Sequence, residues 1–152
     1  IHDEWIRNVL KNRPDLTIDR LQRTRQLMDQ YADNCLVERY ERHIDGLVLP
    51  DTDDPYVLAA AIQCKAQVIV TFNLRDFPRN ILDRHGLRAV GPDDFVTRHF
   101  EKDPASVCLA FSKQLASLKN PPITKQGLMQ ILTKQGLVET VVLLKNCPNE
   151  FA

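Results

Sequence analysis

The stretch that decides the fold runs from residue 54 to residue 71: Asp54-Pro55-Tyr56-Val57-Leu58-Ala59-Ala60-Ala61-Ile62-Gln63-Cys64-Lys65-Ala66-Gln67-Val68-Ile69-Val70-Thr71. Its first half reads as a helix. Aspartate followed by proline has the form of an N-cap and a first helical position, where proline's missing N–H costs nothing and its fixed φ is already helical. Val57, Leu58, Ala61 and Ile62 follow at helical spacing, and the alanines permit close packing. The second half, residues 67–71, is short and β-branched. It is apolar at Val68, Ile69 and Val70, the pattern of a strand buried on both faces. A helix leading straight into a buried strand predicts part of a parallel α/β sheet.

Working outward, residues 78–85 read as a helix stopped by Gly86, and 87–90 as another strand. From Gly91 onward the pattern is helical only, over 92–100, 104–118, 124–134 and 137–145, punctuated by Asp103-Pro104, Pro121-Pro122 and Gly136. The string Thr-Lys-Gln-Gly-Leu occurs at 124–128 and again at 133–137. That offset is too short for a solenoid repeat, so it reads as two similar helix ends. Apolar positions such as Val107, Leu109, Ala110, Leu115, Leu118, Leu128, Ile131, Leu132, Val141 and Leu144 predict that these helices pack on the sheet domain or on another subunit. Upstream, Ile1, Trp5, Val9 and Leu10 share helical spacing, which places Trp5 in the core. Asn12-Arg13-Pro14-Asp15 ends that helix. A second, capped by Thr17 or Asp19, reaches Tyr31 with Ile18, Leu21, Leu27 or Met28, and Tyr31 inward. A short strand is predicted near 35–37 and a brief helical segment over 43–47.

Composition bounds what such a chain does. It has 152 residues, 43% hydrophobic and 26% charged, which is globular rather than disordered. The apolar runs at 57–62, 68–70 and 141–144 are too short to cross a bilayer, and the start carries no basic segment ahead of an apolar one. Twenty basic residues balance twenty acidic ones. Bulk charge therefore does not hold nucleic acid, which leaves only a local basic rim for that role. Cys35, Cys64, Cys108 and Cys147 are too widely spaced for a zinc site or a redox dithiol, and predict buried, reduced thiols in a cytoplasmic protein.

Two places concentrate chemistry. In Leu49-Pro50-Asp51-Thr52-Asp53-Asp54-Pro55, three carboxylates precede a helix. Helix capping accounts for one or two of them. An EF-hand loop starting at Asp51 fails, because its glycine position is Tyr56 and its bidentate glutamate position is Ile62. A phosphorylated aspartate lacks the rest of a receiver pattern. An open Mg²⁺ or Mn²⁺ site is the remaining reading, and it needs carboxylates from several chain segments. The second place is Thr71-Phe72-Asn73-Leu74-Arg75-Asp76-Phe77, directly after the buried strand. Open α/β sheets bind ligands at such strand ends. Asp76 either organises this loop or joins Thr71 and Asn73 around a metal. His2, His43, His85 and His99 have no ligand spacing, and Ser106, Ser112 and Ser117 lie in a predicted helix without a nucleophile setting.

These two motifs, residues 49–61 and 69–78, resemble the central part of a PIN domain. They are most similar to bacterial PIN proteins related to the VapC-type toxins that carry a helical C-terminal extension. His2-Asp3-Glu4-Trp5-Ile6-Arg7-Asn8 is similar to that family's early helix. The resemblance implies a three-layer α/β/α fold with a mainly parallel sheet over residues 1–90, followed by a helical extension over 91–152. It implies a metal-dependent endoribonuclease, with Glu4, Asp54 and Asp76 as the catalytic acids that hold Mg²⁺ or Mn²⁺. Asp51 and Asp53 are outer contributors, Thr71 and Asn73 orienting groups, and Arg75 and Arg79 contacts to RNA phosphates. RNA and an antitoxin protein are the implied partners. The family's first strand, with its first metal-binding aspartate, has no counterpart here. The expectation is therefore an N-terminally truncated, impaired nuclease that pairs as a homodimer or retains an N-terminal fragment. A non-catalytic PIN-like module that binds RNA or protein is the alternative.

Overall fold

The structure, a computed structural model, describes residues 2–31, 35–52 and 54–148. Expectations that fall on Asp53 and on the Tyr31 side chain lie outside the described residues. Among the described residues the chain is mostly helical with a small sheet. The helices are α1 (His2–Asn12), α2 (Ile18–Tyr31), α3 (Pro55–Gln63), α4 (Arg79–Leu82), α5 (Pro92–Lys102), α6 (Pro104–Ser117), α7 (Lys125–Lys134) and α8 (Val138–Leu144). The strands are β1 (Val68–Val70) and β2 (Arg88–Val90), side by side in one two-stranded sheet. They run parallel: the Arg88 N–H donates to the Gln67 carbonyl and the Thr71 N–H to the Val90 carbonyl.

The expected strand near 35–37 does not form, and the helical segment at 43–47 is instead a single 3₁₀ turn, Glu41–His43. Short apolar runs are the least decisive pattern, and this one finds no neighbouring strand among the described residues. The 54–71 reading holds better. Pro55 opens α3, and Leu58, Ala59 and Ala61 are buried. β1 differs in one respect: Ile69 is buried, whereas Val70 is 43% exposed, so the strand alternates instead of being covered on both sides. Gly86 ends the α4 region in the left-handed conformation, φ 67°, which removes the Cβ clash another residue would meet there.

The chain divides into two compact units, one of Ile1–Ile69 with Arg75–Arg88 and one of Val70–Leu74 with Ala89–Ala152. The first has Leu58 and Leu82 as its most fully buried large side chains, with Ile6, Leu21, Leu49, Ile69, Phe77 and Leu87 also buried. Its α1 and α2 pack together through polar ties as well as apolar ones. His2 Nε2 bonds Asp29 Oδ1 at 2.9 Å, and the Trp5 indole N–H donates to His2 Nδ1 at 3.0 Å. Nδ1 is the acceptor, so Nε2 carries the proton and donates to Asp29. Trp5, expected in the core, is only half-buried, because its N–H keeps this partner at the surface.

In the second unit α5 packs against α6 and α8, and α8 against α7. Its core gathers Cys108, Phe111, Leu128, Leu144 and Cys147, with Val107, Leu115, Leu118 and Leu132 against them. Within this unit the helices bury apolar faces against one another. Leu109 and Ile131 stay exposed. Caps set the helix starts. Asp103 accepts the Ser106 N–H ahead of α6, Thr124 Oγ1 accepts the Gly127 N–H ahead of α7, and Asp93 of α5 accepts the Glu139 and Thr140 N–H groups at α8. The cysteine expectation is corrected: Cys108 and Cys147 form a disulfide, and the free thiols Cys35 and Cys64 are exposed rather than buried. Linear spacing says nothing about two cysteines that separate helices bring together.

Candidate metal centre

Two short turns of the first unit present the carboxylates. The segment ahead of α3 is anchored by buried Leu49 and bends so that the Asp54 N–H meets the Asp51 carbonyl at 3.4 Å. That turn sets Asp51 and Asp54 side by side. The Asp54 carbonyl accepts from the Val57 and Leu58 N–H groups, but its side chain makes no capping bond to α3. The backbone of Asp54 therefore starts the helix. Asp76 comes from the other segment, at the end of the 3₁₀ turn Leu74–Asp76, and is held in place by buried Phe77 beside it.

Asp51, Asp54 and Asp76 each offer a carboxylate oxygen, and these oxygens all lie within 4.8 Å of one another. Asp51 is exposed; Asp54 and Asp76 are half-buried. Ionised carboxylates at that separation repel by about 3–4 kcal/mol per pair at an effective dielectric of roughly 20. A divalent cation offsets this directly. Oxygens that share one ion at about 2.0–2.6 Å stand up to about 4–5 Å apart, so the three donors fit a hard cation such as Mg²⁺ or Mn²⁺ with little movement.

The structure thus brings Asp54 and Asp76 together, as expected, and adds Asp51, which the resemblance had put outside them. Glu4 is not in this mutually close group. It is half-buried in the first turn of α1, where an acid favours the helix dipole. The signal for Asp51 was present in its spacing: residues i and i+3 of a turn face one another. Thr71 and Asn73 organise their own loop, Thr71 Oγ1 accepting the Asn73 N–H at 3.0 Å. Arg75 is exposed, and Arg79, at 93% side-chain exposure, reaches Asp83 one turn on at 3.5 Å.

Two comparisons match parts of the chain. Residues 92–146 match the family model of the VapC50 C-terminal domain. The chain is also 33% identical over 82 residues to a Mycobacterium tuberculosis (strain ATCC 25618 / H37Rv) protein named "Putative ribonuclease VapC50". The chain is thus similar to VapC50-type proteins over parts of its length. The second match covers 54% of this chain and 48% of the relative, so it spans about half the relative's length. No solved structure matches the chain. The family model takes in α5 to α8, whereas the three carboxylates lie upstream of it. No described helix is long and apolar enough to cross a membrane.

Proposed function

We propose that this chain carries the active site of a divalent-metal-dependent endoribonuclease that hydrolyses RNA phosphodiester bonds. The observation that carries the reading is the meeting of Asp51, Asp54 and Asp76, from two chain segments, within 4.8 Å. The name of the mycobacterial relative supports the same reaction class. Asp54 and Asp76 hold Mg²⁺ or Mn²⁺, and Asp51 replaces Glu4 as the third ligand. When bound, the ion supplies charge neutralisation at the scissile phosphate and a water of lowered pKa. The chain's own part is to fix the ligands. The hydrogen-bonded turn at 51–54 sets two carboxylates in advance, and Phe77 anchors the third, so little ordering remains when the ion arrives. Arg75 and Arg79 contact backbone phosphates of the RNA, which position substrate without reading sequence. The finer fold we propose is the three-layer PIN sandwich, with β1 and β2 as two of its parallel strands. As a VapC-like toxin, the protein would act in the cytoplasm under an antitoxin's control.

Mn²⁺ binding followed by electron paramagnetic resonance, with cleavage of a single-stranded RNA alongside, tests this. Asp54→Asn and Asp76→Asn are expected to weaken Mn²⁺ binding about 10-fold or more and to abolish chelator-sensitive cleavage. Mn²⁺ binding untouched in the double variant would remove the site assignment. Cleavage that persists in chelator would remove the metal mechanism and favour the binding-module alternative.

A further inference from the structure

We propose that Cys108 and Cys147 are a reducible clasp: the helical unit is locked when they are joined and loosened when a dithiol reduces them. Cys108 lies on α6 and Cys147 in the turn after α8, with Cα atoms 5.5 Å apart, inside the range a disulfide spans. The location gives the bond its leverage. α6 packs against α5, whereas α8 packs against α5 and α7. The bond is a direct covalent tie between α6 and the end of α8. It closes a loop of sequence separation 39 around Phe111, Leu128 and Leu144. Among the described residues beyond Leu144, turn hydrogen bonds hold the chain, and Lys125 Nζ donates to the Cys147 carbonyl at 3.2 Å. Loss of the bond therefore frees the end of α8 and returns the loop's conformational entropy to the unfolded state.

The exchange is balanced. A thiolate of the reductant attacks one protein sulfur and the protein S–S bond breaks, giving a mixed disulfide. The reductant's second thiol then displaces the protein sulfur. Two electrons and two protons end on Cys108 and Cys147, and the reductant leaves as a disulfide. Cys108 and Cys147 are 4% and 6% exposed, so attack requires the helical unit to open first. Reduction is then limited by opening, and denaturant accelerates it. Cys35 and Cys64, exposed and free, serve as internal controls.

The test uses the full chain purified without reductant. Iodoacetamide in denaturant is expected to add two groups, at Cys35 and Cys64, and four after dithiothreitol. Reduction is expected to lower the melting temperature of the helical unit by about 10 °C or more, given what such a loop contributes in a domain of this size. Cys35→Ser/Cys64→Ser keeps that shift. Cys108→Ala/Cys147→Ala melts where the reduced protein does and ignores dithiothreitol; should it fail to fold, the alkylation count and the wild-type melting shift still decide. Four groups added without reductant, or melting indifferent to dithiothreitol, would overturn the clasp.

Discussion

At Asp93 one carboxylate fastens two helices. It sits in the first turn of α5, yet its two oxygens accept the Glu139 and Thr140 N–H groups at the start of α8, at 3.0 and 2.8 Å. Partial burial opposes its charge, but hydrogen bonds from the Thr140 hydroxyl and from the backbone N–H groups of Thr140, Glu139 and Val138 outweigh burial and hold its pKa below the usual value. The folded pKa lies below the unfolded one, so the stabilisation is complete above the unfolded value of about 4 and is lost as pH falls through the folded one. Asp93→Ala is expected to cost about 1–2 kcal/mol at pH 7, the upper range for a lost cap. Urea unfolding at pH 7 and again near pH 2–3 should show the gap between wild type and variant closing in acid. A gap independent of pH would mean that the ionised carboxylate is not what fastens α8. The candidate site has its own residue-scale contrast: Asp51→Asn should lower metal-dependent cleavage about as much as Asp76→Asn, while Glu4→Gln should leave Mn²⁺ binding near wild type. The family resemblance pointed to Asp54 and Asp76, and each stands at an element boundary. It did not rank Asp51 above Glu4, since that order depends on a turn closing in space.

One pentapeptide, Thr-Lys-Gln-Gly-Leu, does opposite work at the two ends of α7. At 124–128 its threonine caps the helix and Gly127 lies inside the first turn. At 133–137 its threonine hydroxyl donates back to the Met129 carbonyl, and Gly136 leaves the helix with φ 88°. The glycines therefore respond differently to a methyl group. At Gly136 a Cβ would meet Phe72 only at ordinary contact distance, 3.8 Å, but the left-handed backbone strains any other residue. Gly136→Ala should lose about 1–2 kcal/mol. At Gly127 alanine's better helix propensity, about 1 kcal/mol, is opposed by a Cβ standing 3.2 Å from Ile123 Cγ2 and 3.3 Å from Thr124 Oγ1. Gly127→Ala should therefore stay within about 0.5 kcal/mol of wild type, as measured by urea denaturation. A gain of the full propensity difference would show that the cap yields freely. Element positions were largely legible here because Asp-Pro, Gly and Thr mark boundaries by local chemistry. The weak apolar run at 35–37 had no such marker and did not become a strand.

Across the whole molecule the charges cancel, twenty against twenty, so attraction to RNA has to come from a few local cations. Binding of single-stranded RNA to the Asp54→Asn variant, followed by anisotropy between 50 and 200 mM salt, should give a shallow slope of about −1 to −3 in log affinity against log salt. Arg75→Ala/Arg79→Ala should flatten it by about one. A steep slope left unchanged by those substitutions would place the RNA elsewhere on the chain. Taken alone, the amino-acid sequence determined that helices dominate after Gly91, that a helix and a short strand flank Ala66, and that acids gather before Pro55 and at Asp76. Those features follow from caps, prolines and periodicity, which act over a few residues and need no partner. Only the tertiary structure decided that Asp51 joins Asp54 and Asp76, that Cys108 meets Cys147, and that Asp93 caps a helix 45 residues downstream of it, which begins at Val138. Each of these is a contact between segments far apart in sequence or across a closed turn. Its energy depends on distance and burial, and linear order carries neither.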